Sequence, residues 1–196
     1  MTQFRTSPKS LLKVVKVKYK TALPALLLVV FSVLGSEIFR FGFWKNISLV
    51  GLIWYVTVLV LYRVNREVYP EPNNHPVSPI NGKVTQLQDK LGQSEIVIKK
   101  TWLDKADVRL SLPGDTVSIG RKTINTANST FEAGWTLQGT KLIPINIRTS
   151  NKSDLSGLVI GNSVCRYRLP QQMRPAIAVG NRLVAGETII GCKYDN

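Results

Sequence analysis

The sequence predicts a mainly β soluble domain, a small sandwich or flattened barrel, behind an N-terminal two-helix transmembrane hairpin. Three observations carry that expectation. Two uncharged apolar runs, Ala22 to Ser36 and Asn46 to Tyr62, lie near the start of the chain. Their flanks are basic. From Arg66 onward, short alternating stretches are broken by Gly, Pro, Asn and Asp, and no long 3.6-residue period appears.

The reach of each run decides whether it can span. A helix rises about 1.5 Å per residue, so the 17 residues between Lys45 and Arg63 cover roughly 25 Å, near the lower limit for a hydrocarbon core of about 30 Å. The first run is bounded by Lys20 and Arg40 and interrupted only by Glu37. Pro24 is expected in its first turn, where a missing N–H costs little. The link, Phe39 to Lys45, carries Phe39, Phe41, Phe43 and Trp44, side chains that suit a membrane interface.

Orientation follows from the basic residues. Arg5, Lys9, Lys13, Lys16, Lys18 and Lys20 precede the hairpin and Arg63 and Arg66 follow it, against Arg40 and Lys45 in the link. The positive-inside rule then puts both termini and the β domain on the cytoplasmic side of the inner membrane. A cleaved signal peptide is the competing reading; the long charged region, the second apolar run and the want of a small-residue cleavage site oppose it.

The formal charge is +14, yet residues 1–65 hold 9 basic and 1 acidic residue while 66–196 hold 17 and 11. That split argues against a nucleic-acid groove and for anionic phospholipid as partner, or for lysines that only set topology; both readings stay open. Leu11 to Lys20 alternates valine with lysine and could lie flat on a membrane, and its secondary structure is left undecided.

Cys165 and Cys192 share no CxxC spacing, and His75 is the single histidine, so no metal site is expected. Both thiols are expected reduced, and Cys165 has no base to make it a nucleophile. P-loop, GxGxxG and GxSxG motifs do not occur. Asn81-Gly82, Pro113-Gly114 and Gly180-Asn181 are read as turns, the first as a hairpin turn. The chain therefore divides into a basic tail (1–20), the hairpin (21–64), a stiff Pro-rich linker (65–79) and a β-rich domain (80–196).

Five features in this order, the hairpin, VYPEP (Val68 to Pro72), VSPINGKV (Val77 to Val84), NSVCRYRLP (Asn162 to Pro170) and VGNRLVAGETIIG (Val179 to Gly191), resemble the short-form phosphatidylserine decarboxylases. In that family the stretches run approximately FFRDP, VSPADGKV, FGSRVDVYLP and VGDKVKAGETV. The likeness is closest over 158–191 and poor over roughly 85–157. The same half-motifs also resemble those of lipoyl-like hybrids in membrane-fusion adaptors, although such adaptors have one span and a long coiled coil.

The resemblance implies a chemistry. In the family, a serine attacks the preceding carbonyl, the chain breaks, and the serine becomes a pyruvoyl group that decarboxylates phosphatidylserine to phosphatidylethanolamine. Alignment to Pro170 makes Ser163 the pyruvoyl precursor and Asn162 the residue before the cut, where the family has glycine. Asn81 takes the place of the family aspartate and Arg109, in DVRLSL, that of its histidine. Arginine does not act as a base near neutrality, so self-cleavage should stall. His75 is the one imidazole available as a substitute.

Two function classes follow. One is a non-catalytic relative, a membrane scaffold or lipid-binding subunit with no cofactor. The other is an active decarboxylase whose pyruvoyl cofactor comes from Ser163. Arg109, Arg121, Lys122, Arg166 and Arg168 are the candidate ligands for lipid phosphate, with an ordinary solvated face as the plain alternative. Ser163, Cys165, Tyr167 and Leu169 should share one strand face, and Arg166 and Arg168 the other. A homo-oligomer or a partner membrane subunit fits either class.

Overall fold

Ser7-Pro8 opens the first helix, α1 (Pro8–Phe39), with proline at the first helical position, where its missing N–H has no intrahelical partner to lose. The computed structural model describes residues 4–5, 7–39, 42–68, 75–90, 93–120, 122–128, 132–146 and 152–193. The helix runs 32 residues, so Leu11 to Lys20 is helical and continuous with the apolar run. Pro24 consequently lies deep inside the helix and not in its first turn, contrary to the sequence expectation. The second helix, α2 (Phe43–Leu61), has 19 residues and spans about 28 Å.

Both helices are long and apolar enough to cross a membrane. Leu26, Leu27, Val30, Phe31 and Leu34 on α1, and Leu49, Val50, Ile53 and Val56 on α2, are exposed, as a lipid-facing surface would be. Their mutual contact uses small residues: a Cβ on Gly51 would lie 2.7 Å from Leu28 Cδ2, and one on Gly35 would lie 2.9 Å from the Trp44 ring.

The rest of the chain is strand and turn. Two short strands, β1 (Phe4–Arg5) and β2 (Glu67–Val68), pair with each other. The main sheet takes in β3 (Gly82–Lys90), β4 (Gln93–Lys100), β5 (Asp107–Arg109), β6 (Thr116–Ile119), β7 (Thr123–Asn128), β8 (Ala133–Pro144), β9 (Leu155–Arg168) and, beyond β10 (Met173–Pro175), β11 (Arg182–Leu183). The order is β11-β3-β4-β9-β8-β7-β6, antiparallel throughout, with β5 also on β9. A final strand, β12 (Gly191–Lys193), pairs with β10.

Strand β9 is the spine. Its residues 163–168 pair with β4 and residues 155–158 with β5, while β8 lies along its other edge. Alternation puts Ser163, Cys165 and Tyr167 inside and Arg166 and Arg168 outside, and Leu169 just beyond the strand is buried too. Ile96, Ile98, Leu137, Trp135 and Ile124 complete the core on that face. A second apolar cluster joins the domain to the helices: Val14, Ala22, Val58 and Tyr62 pack with Ala106, Ile145, Leu155 and Leu158. Lys13 Nζ also donates to Ile145 O at 3.0 Å.

One local expectation is corrected. Asn81-Gly82 makes no hairpin turn: Ile80 bridges to Val108, Gly82 begins β3, and its Cβ would lie 2.6 Å from Lys99 O, so glycine serves a close strand approach. Where the Pro-rich segment 65–79 is described, it packs on the β domain. Val68 and Val77 are buried, Val77 bridges to Ile189, and Ser78 N donates to Thr188 O at 2.8 Å. Pro70 and Pro72, with the Tyr69 to Pro72 part of VYPEP, lie outside the described residues. Gly114 and Gly180 do adopt positive φ, 81° and 98°, at the other two turns.

Candidate functional site

The two segments flanking the β domain in sequence meet in space. Val84 N donates to Asn181 O and Gly180 N to Val84 O, each at 2.9 Å, while Arg182 and Leu183 pair with Lys83 and Gly82. Farther along, Gly186 N donates to Ser78 O at 2.8 Å, and Ala185 N donates to the Asn81 side-chain oxygen at 3.1 Å. VSPINGKV and VGNRLVAGETIIG thus clasp each other, with Asn81 inside the clasp.

Asn81 and Arg109 belong to one buried network, joined by a carboxylate that the sequence reading passed over. Asn81 Nδ2 donates to Asp107 Oδ1 at 2.6 Å, and Arg109 Nε donates to Asp107 Oδ2 at 2.9 Å. Arg109 is 1% exposed and Asp107 0%. The guanidinium also donates to Ser153 O at 2.9 Å and Asn65 O at 2.7 Å, and Lys105 Nζ binds Asn65 Oδ1. Gly186, at φ 79°, leaves room for the Arg109 stem: a Cβ there would stand 2.6 Å from Arg109 Cδ. Asp107 and Arg109 are two apart on β5, so they share a face, and that spacing was the available signal.

Ser163 stands elsewhere, against Lys100. The two are direct partners across β4 and β9, so their side chains share the interior face. Ser163 is 4% exposed, and its hydroxyl has no hydrogen-bond partner. Lys100 Nζ donates instead to Thr101 O, Asp104 O and Gly161 O at 3.0, 3.1 and 3.4 Å. Burial pulls the Lys100 pKa down, with Asp104 and then Asp107 opposing. Still, an ammonium whose three protons are engaged has no lone pair to offer a hydroxyl. A pyruvoyl group formed from Ser163 would need a base in reach of Oγ, and among the described residues none is placed there; the site does not fit self-processing in this arrangement.

The bond before Ser163 has one polarising contact. Thr140 Oγ1 donates to Asn162 O at 3.2 Å, across from Gly161 at φ 83°. Asn162 Oδ1 accepts from Trp102 N at 3.1 Å. An open depression of about 610 Å³ lies over this junction, lined by Lys99, Lys122, Thr140, Asn162 and Ser163 among others.

The candidate phosphate ligands do not converge. Arg109 is interior and fully engaged, which removes it from a surface site. Lys122 borders the Ser163 depression. Arg166 and Arg168 line a different hollow of about 320 Å³ that also includes Glu95 and Glu132, and Arg166 Nη1 stands 3.6 Å from Glu95 Oε1. Arg121 lies outside the described residues. His75 is half-buried on the segment leading to Val77 and has an unpartnered Nδ1. Cys165 is sealed in the core, where burial pushes its thiol pKa far up, so it is no nucleophile.

No family model, curated protein or solved structure matches the chain.

Proposed function

We propose that the chain is a membrane-anchored, phosphatidylserine decarboxylase-like protein of phospholipid metabolism that has lost decarboxylation and works as a scaffold or lipid-binding subunit. The observation that carries this reading is the Ser163 hydroxyl, buried without a partner beside a lysine whose protons are all committed. Asn81 and Arg109 support it as well, because both are tied to Asp107 in a network that braces the fold. The clasp of residues 77–84 against 180–191 supports a lipoyl-like hybrid, a small flattened barrel, for the β domain. The basic flanks of the hairpin support a cytoplasmic-side domain on the inner membrane, facing anionic phospholipid. Scaffold work implies a second copy or a partner membrane subunit.

One contact favours a second reading, an active pyruvoyl-dependent decarboxylase. The Thr140 hydroxyl polarises the Asn162 carbonyl, the group that Ser163 would have to attack.

Intact mass of the purified protein separates the two. The first reading expects a single 21.8 kDa chain. A membrane fragment plus a peptide beginning at residue 163 with a blocked N-terminus would refute it, and Ser163→Ala should then abolish the cut.

A further inference from the structure

We infer that the turn Thr101 to Asp104 dips its apolar tip, Trp102 and Leu103, into the headgroup region of the bilayer that α1 and α2 cross. The inference rests on the reading of those helices as membrane spans. Outside the two helices, the described large hydrophobics that stand exposed are few, and Trp102 and Leu103, at 52% and 56%, are adjacent. Exposing such a pair to water is unfavourable, and tryptophan with its indole N–H is suited to the boundary between lipid and water.

Position supports the assignment. Arg63, the first cation after α2, donates from Nη2 to Leu103 O at 2.8 Å, and its own carbonyl accepts from Ala106 N at 2.7 Å. The turn is therefore fastened at the level where the exposed apolar band of α2 ends. On α1 the same level is marked by Thr21, whose hydroxyl lies 3.3 Å from the Tyr62 hydroxyl, with Lys20 one residue before it. Lys99 and Lys105 flank the turn in sequence and, with Arg63, are exposed residues whose charge suits anionic headgroups.

The turn is also rigid, so its tip is presented and not merely tethered. Asp104 Oδ2 accepts from Thr101 N and Thr101 Oγ1, both at 2.8 Å, and Lys100 Nζ grips the carbonyls of Thr101 and Asp104. Because Trp102 N binds Asn162 Oδ1, lipid contact at the tip would bring the Asn162–Ser163 junction close behind the headgroup layer. The occupant of this surface is thus the lipid itself.

The test places an environment-sensitive thiol label, one site at a time, at Leu103→Cys, Gln88→Cys and Ile53→Cys in the full chain carrying Cys192→Ser. Cys165 is buried and stays. Gln88, paired with Glu95, lies about 17 Å along the strands from Lys100 and is exposed. The protein is reconstituted into vesicles of phosphatidylcholine with one-third phosphatidylglycerol, and spin-labelled lipid and iodide serve as quenchers. Lipid quenching at position 103 at least about threefold stronger than at 88, with a blue-shifted label, is the expected result. If 103 is quenched by iodide as readily as 88, the tip is in water and the inference falls. A label at 103 reached by neither quencher means that protein covers the tip, a second copy included, and overturns it as well. Position 53 separates the premises: no lipid quenching there refutes the membrane spans themselves, and the inference falls with them.

Discussion

Replacing Asp107 by asparagine changes one charge and almost no volume. Arg109 would then lose the carboxylate charge that its Nε bonds, at a site 1% exposed. Asparagine would also turn an N–H group toward Asn81 Nδ2, which already donates, so one donor of the pair is left without an acceptor. Removing one member of a buried ion pair costs about 3–5 kcal/mol, against roughly 0–1 kcal/mol for a solvent-exposed pair. For a chain of this size each kcal/mol moves the melting temperature about 2–4 °C, so Asp107→Asn should lower Tm by about 6–20 °C. The assay is near-UV circular dichroism of the detergent-solubilised full chain, where buried Trp135 reports on the β core. Arg166→Ala is the surface control. A drop under about 2 °C for Asp107→Asn would refute the view that this network braces the fold.

Gly186→Ala should destabilise by about 2–5 kcal/mol, combining a left-handed φ with overlap on the Arg109 stem, whereas Gly180→Ala, whose Cβ would stand 4.0 Å from Lys83 Cε, should cost only the conformational part, about 1–2 kcal/mol; urea midpoints compare them. Lys100 gives a pH test. Its folded pKa is held below the ordinary 10.5 by burial, so the native state gives up that proton first, and its contribution to stability rises with pH from the lowered value up to 10.5. The stability of the wild-type chain relative to Lys100→Met should rise across that alkaline window; a flat difference would sink the assignment.

Much of the architecture was legible because period and composition speak for it directly. Two apolar runs flanked by cations became α1 and α2, and the alternation Ser163, Cys165, Tyr167 became an inward face. Pro24 misled because proline was read as a start signal, while the start signal proper, Ser7-Pro8, lay ahead of a lysine-rich stretch that looked undecided. Asn81-Gly82 misled in another way: the pair has hairpin chemistry, yet a neighbouring strand presses on Gly82 and a buried carboxylate claims Asn81. Asp107 stands two residues from Arg109, but only the bridge between Ile80 and Val108 brings it to Asn81, and that pairing is not written in the local sequence. Lys100 was out of reach altogether, because its neighbour Ser163 is 63 positions away and only the β4–β9 register joins them.

The register of β9 has a consequence for how the chain is made. Strands β3, β4, β5 and β8 are synthesised before the strand that unites them, and β11, which closes the clasp on Asn81, comes later still. On the ribosome, α1 and α2 are complete while the sheet still lacks its middle, so the nascent β hairpins wait with open edges. Such late, long-range closure makes for slow folding and aggregation-prone intermediates that persist until residue 168 arrives.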